Sequence, residues 1–228
     1  MSFYTGMLER VAGSASAGSA ALFASLSALR GKRFFHPVGE TYRGTVTFAD
    51  EDIGLPFSGT REARVRLSRG AGLPGSLPDV FGFAVKLPEL GHDFLLASSG
   101  DNPVTRHLLL PAAGFFSLPY SSVLPYELDD RLVVFGARAD HALKGANSAR
   151  PEDLASLIAT GKLRFDLTVA FVGNSDNETF GSLVVDAPHE GDIDFNPWNC
   201  LPPLRPAGPL NRLRRETYEA SQATRRSR

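Results

Sequence analysis

Cysteine is almost missing from this 228-residue chain: Cys200 stands alone, so no intrachain disulfide can form and metal centres built from several thiolates are excluded. A reducing, cytoplasmic setting is the expectation. Excess charge of either sign is missing too, because 24 basic and 25 acidic residues leave a net charge of −1. With the signs interspersed, long-range attraction to nucleic acid or to an acidic membrane surface is not expected. Long apolar runs are absent as well. The Ala-, Ser- and Gly-rich start has its longest apolar run at Ala20–Ala24, with Glu9 and Arg10 ahead of it, which is too short for a secretory signal and far too short for a membrane span. Residues 1–30 are expected to form a helical arm, and neither internal repeats nor a heptad array is visible.

What is present is a chain that is 43% hydrophobic and 21% charged, with 16 phenylalanines, enough for one sizeable core. Apolar residues alternate at Tyr42, Val46 and Phe48, at Ala63, Val65 and Leu67, and at Phe81, Phe83, Val85 and Leu87. Strands are expected there and at 93–97, 131–138, 163–171 and 180–185, between turns rich in Gly, Pro, Asn and Asp. Such a succession predicts an antiparallel barrel or a sandwich. Arg150-Pro151-Glu152-Asp153 ahead of Leu154, Leu157 and Ile158, with Gly161 closing, predicts a short helix. Five prolines between Asn196 and Pro209 predict an extended connector. It leads to a C-terminal helix over 208–228, giving an α+β chain that is a single domain over 1–228.

On that last helix, offsets of four and eleven residues turn by about 40° and 20° beyond whole turns, so Arg214, Tyr218 and Arg225 share one stripe. Guanidinium groups a turn away favour the phenolate form of Tyr218, and a phenolate is a hard anionic ligand suited to ferric iron. Haem accounts for the whole stripe, since its propionates accept arginine forks. On the helix alone a solvated basic helix, its tyrosine packed by chance, is the favoured account, at about two to one. His36, after Phe34 and Phe35, stands where a neutral imidazole over an aromatic-walled cavity could pass a peroxide proton; a packed histidine is the ordinary alternative. Alternation along 64–68 sets Arg64, Arg66 and Ser68 on one strand face. Ser68 could orient His36 and Arg66 could meet a propionate, against the default of a half-exposed strand with one polar face.

The runs Arg33-Phe34-Phe35-His36-Pro37-Val38-Gly39, Val65-Arg66-Leu67-Ser68, Asp79-Val80-Phe81-Gly82-Phe83-Ala84-Val85-Lys86 and Arg214-x-x-x-Tyr218 with Arg225 together resemble the haem catalases. The likeness is to the small catalase-fold haem peroxidases, since full catalases are about twice as long. It covers roughly residues 33–104 and 214–225. The resemblance implies a catalase-like antiparallel β-barrel with added helices and haem b as cofactor. It makes Tyr218 the iron ligand and Arg214 its support, places Arg33, Phe35, Arg66 and Arg225 around the macrocycle, and gives His36 and Ser68 the distal face. Catalases set an asparagine beside the distal histidine; here Ser98 takes that place when the segment is aligned from its start, the register shifts by two when it is aligned back from Pro103, and Asn102 is the only amide nearby.

A peroxidase acting on organic hydroperoxides or hydrogen peroxide is therefore expected, with weak or no catalase activity. Its partners would be a small-molecule hydroperoxide and an electron donor, with a homodimer as the expected assembly. A hydroperoxide-rearranging enzyme resembling the allene oxide synthases and a non-catalytic haem-binding protein are the alternatives.

Overall fold

The computed structural model describes residues 38–50, 53–70, 77–143, 154–191 and 193–208. The chain divides into two units, Met1–Phe34 and Phe35–Arg228, and all described residues belong to the second. Its strands are β1 (Val38–Phe48), β2 (Thr60–Arg69), β3 (Phe81–Leu87), β4 (His92–Ser98), β5 (Tyr120–Ser121), β6 (Tyr126–Leu128), β7 (Arg131–Ala139), β8 (Arg164–Phe171), β9 (Glu178–Pro188) and β10 (Arg205–Pro206). The long runs fall where alternation predicts them.

Barrel rather than sandwich is decided by one pairing. The sheet runs β10-β6-β7-β5-β4-β3-β2-β1-β9-β8, and β7 also pairs with β8, joining both sides into a closed antiparallel ring of eight strands. β5 and β6 lie end to end along one edge of β7, at Gly136–Ala137 and Arg131–Val133. Closure removes the exposed edges that an open sheet would present. Register shifts between Arg43 and Gly44 and between Leu167 and Thr168 bend their strands, as closure requires.

Alternation then separates an inside from an outside. Inside, Phe57 lies 5.4 Å from Phe94 and 5.8 Å from Phe180, and Phe135 lies 5.1 Å from Phe94; a second group has Phe83 5.2 Å from Tyr120 and 4.6 Å from Phe165. Each buried phenylalanine contributes about 1.5–3 kcal/mol, and together the rings form much of the core. Helix α1 (Ala155–Ala159) buries Ile158, within the predicted helical stretch. It is short, and the residues just before it, 144–153, lie outside those described. Among the described residues no helix is long and apolar enough to cross a membrane. The expected N-terminal arm and C-terminal helix lie outside the described residues.

Candidate functional site: the outer face of β1–β4

The register places four small residues side by side on the outside of the barrel. Gly39 of β1 faces Ser68 of β2, Ser68 faces Gly82 of β3, and Gly82 faces Ala97 of β4. Their neighbours Leu67, Phe83 and Leu96 fill the lumen, so this row must face outward. Gly39 is required by close approach, since a Cβ there would come within 2.5 Å of Ser68 Cβ and 2.8 Å of Leu67 O. The Ser68 side chain is buried, and its Oγ donates a long 3.5 Å bond to Gly82 O. An outward-pointing hydroxyl that is nonetheless buried is unusual for a strand with one solvated face.

One step along β2, Arg66 is half-buried and faces Thr41 and Ala84; Thr41 is buried although it too points outward. Arg64 continues the face toward solvent, where its Nη1 donates to Glu62 Oε1 at 2.5 Å. That hydrogen bond and charge hold the Glu62 carboxyl below its usual range. Arg64, Arg66 and Ser68 thus share the side that alternation assigns them, with Ser68 deepest.

Neither Ser98 nor Asn102 lies in the row of Ser68. Ser98 pairs with Tyr120 and belongs to the inward set. Its buried Oγ donates to Leu110 O at 2.6 Å and accepts Phe81 N–H at 3.0 Å, so its hydrogen-bonding capacity goes to fixing the ends of β3 and β4. Asn102 is exposed past the end of β4, and its Oδ1 accepts Val104 N–H at 3.0 Å and Thr105 N–H at 2.8 Å, a turn-forming role. The residue in register with Gly82, and so in the row of Ser68, is Ala97. Sequence comparison passed over it because alignment fixes order, whereas strand pairing fixes the face.

Arg33, Phe35, His36, Arg214, Tyr218 and Arg225 lie outside the described residues. Among the described residues no group of three or more His, Cys, Asp or Glu side chains could hold a metal ion. The face of β1–β4 does suit one side of a flat cofactor: a floor of two glycines and an alanine, one buried hydroxyl and an arginine at its margin. Haem needs little more from one face than flatness, a polar group and a cation for a propionate.

No protein-family model matches the chain, and no curated protein matches it. Solved structures do. A fungal catalase superposes with a TM-score of 0.58 at 16% identity, over 82% of this chain and 58% of that one. Catalase A from Saccharomyces cerevisiae superposes with a TM-score of 0.58 at 14% identity, over 82% of this chain and 60% of that one. The chain spans about three-fifths of the length of these catalases, and at this identity the likeness is one of fold: the described barrel is a catalase-like barrel.

Proposed function

We propose that the protein is a haem b peroxidase that reduces organic hydroperoxides, and hydrogen peroxide less well, with weak or no catalase activity. The observation that carries this reading is the row Gly39-Ser68-Gly82-Ala97 on the outer face of a catalase-like barrel. It is flanked in sequence by the Arg33–Gly39 run that supplies His36 and followed far downstream by Arg214, Tyr218 and Arg225. Gly39 is three residues from His36, a tether of at most about 11 Å.

Bound haem would supply the redox-active iron at which a peroxide O–O bond is split. Tyr218 would be its protein ligand, with Arg214 keeping the phenol ionised. Arg33, Arg66 and Arg225 would hold the propionates and Phe35 would pack against the macrocycle. His36 takes the proton from the hydroperoxide and returns it to the leaving oxygen, so that an alcohol departs. Ser68 orients the imidazole. An organic electron donor would supply the two electrons that, with two protons, reduce the hydroperoxide to an alcohol and water. Ala97 offers a methyl where an amide would otherwise hold a second small peroxide, which favours a substrate with an apolar substituent over hydrogen peroxide. A cytoplasmic homodimer completes the proposal.

The test is product analysis of haem-loaded protein given cumene hydroperoxide with an aromatic donor, beside hydrogen peroxide. Stoichiometric cumyl alcohol and oxidised donor, with little oxygen evolved from hydrogen peroxide, is the expected result. With a fatty-acid hydroperoxide, an epoxide formed without donor would show rearrangement instead. No turnover by haem-bearing protein would leave a carrier.

A further inference from the structure

At the end of the barrel where Phe57 and Phe94 meet, a proline-rich strap, residues 193–204, is fastened to the first two residues of β4. Leu201 N–H donates to His92 Nδ1 at 3.0 Å. Asp93 Oδ2 accepts Asn196 N–H at 2.8 Å, Asn199 Nδ2–H at 2.9 Å and Lys86 Nζ–H at 2.9 Å, and Asp93 N–H donates to Asn199 O at 2.9 Å. Pro197, Pro202 and Pro203 have no amide hydrogen to give, so few backbone groups can hold the strap. The fastening therefore concentrates on two adjacent titratable side chains.

His92 is fully buried, with its ring 5.0 Å from that of Phe57, 4.3 Å from Phe94 and 6.3 Å from Phe135. Because Nδ1 accepts, the proton of the neutral ring sits on Nε2, and Nε2 is enclosed without a hydrogen-bond partner among the described residues. The ionisable groups around it are few. Asp93 follows on its own strand, its Oδ2 engaged as above. Lys86 on β3 is paired with Asp93, and Glu89 in the preceding turn faces solvent beside Arg61. The strap brings Asp194 and Cys200, whose thiol burial keeps protonated, pushed up to about 12. The loop of Phe57 and strand β7 present rings. Burial drives the ring's pKa down to about 3, with no opposing contribution from a carboxylate among the described residues.

We propose that His92 is an acid-sensitive latch: its protonation turns the Nδ1 acceptor into a donor facing the Leu201 amide, and releases the strap from the barrel. Two donors head to head in an enclosed site lose the hydrogen bond and leave both polar groups unpaired. An imidazole that meets water once the strap has opened has no such penalty. The contribution of the closed strap is complete above the ordinary 6.5 of a free imidazole and is lost progressively as pH falls toward about 3. The strap runs on in sequence into residues 209–228, the segment that carries Tyr218 in the haem reading. The latch itself is independent of that reading.

Trp198 is the only tryptophan of the chain and lies in the strap, so its fluorescence reports the strap directly. In haem-free full-length protein titrated from pH 7.5 to 3, a fluorescence transition is expected with a midpoint between pH 6.5 and about 3, while the far-ultraviolet strand signal persists. Hydrogen exchange of peptides covering 193–204 should rise at least about tenfold across it. His92→Asn keeps an acceptor near the Nδ1 position without the titration, and should remove the transition or move it below that of wild type. If that variant fails to fold, the carbon-13 shift of the His92 ring in wild type must titrate together with Trp198. A strap signal that changes only when the strand signal collapses, an unchanged transition in His92→Asn, or a ring that titrates apart from Trp198 would overturn the latch.

Discussion

His36→Ala is expected to retain haem, with an absorption spectrum close to that of wild type, and to lose at least about 10²-fold in peroxidase turnover. That loss is typical of removing a general acid-base group. O–O cleavage needs a proton delivered to the leaving oxygen, and a neutral imidazole can accept and return one. The outer row adds a second requirement. Ser68 is buried and backed by Gly39 and Gly82, so its hydroxyl position is set by the sheet and it can orient a ring. Ser68→Ala should accordingly cost less than His36→Ala and act on turnover more than on haem content. The check is steady-state turnover of both variants against cumene hydroperoxide, normalised to bound haem. A His36→Ala rate equal to wild type would remove His36 from the chemistry.

Phe135→Ala is expected to destabilise the barrel by about 3–5 kcal/mol, the range for emptying a buried aromatic position. Phe135 is fully buried in β7, and its ring lies 5.3 Å from Tyr126, 5.1 Å from Phe94 and 5.7 Å from Phe180. These partners sit on strands β6, β4 and β9, so the ring ties together distant parts of the circumference through the lumen. The neighbouring rings are rigid and anchored to paired strands, which limits collapse into the hole. Urea unfolding followed by circular dichroism would measure it, with the midpoint shifted and the slope little changed. A loss below about 1 kcal/mol would mean that the lumen is not packed as described.

How far the sequence carried the fold depends on strand length. β1–β4 and β7–β9 have seven or more residues, long enough for alternation to show. β5, β6 and β10 have two or three, too few for a period, and β5 belongs to the closed ring. A barrel and a sandwich share the same alternation. The pairing of β7 with β8 separates them, and nothing local in either strand announces it.

The candidate site was legible in the same graded way. Arg66 and Ser68 follow from a period of two. For Ser98 a one-residue step reverses the face: Ala97, not Ser98, stands in the row of Ser68, and the Ser98 hydroxyl bonds the backbone of Leu110 and Phe81. His92 gave no signal, since its role depends on Leu201, 109 positions along the chain. Contacts of that separation arise only when the barrel is closed and the strap laid over its end.

The most direct measurement is the absorption spectrum of protein expressed with adequate haem, wild type beside Tyr218→Phe. The account predicts a high-spin ferric spectrum in wild type, with phenolate ligation that is lost or altered in the variant. Wild-type protein that binds no haem, or two identical spectra, would contradict it and leave a catalase-like barrel with another purpose.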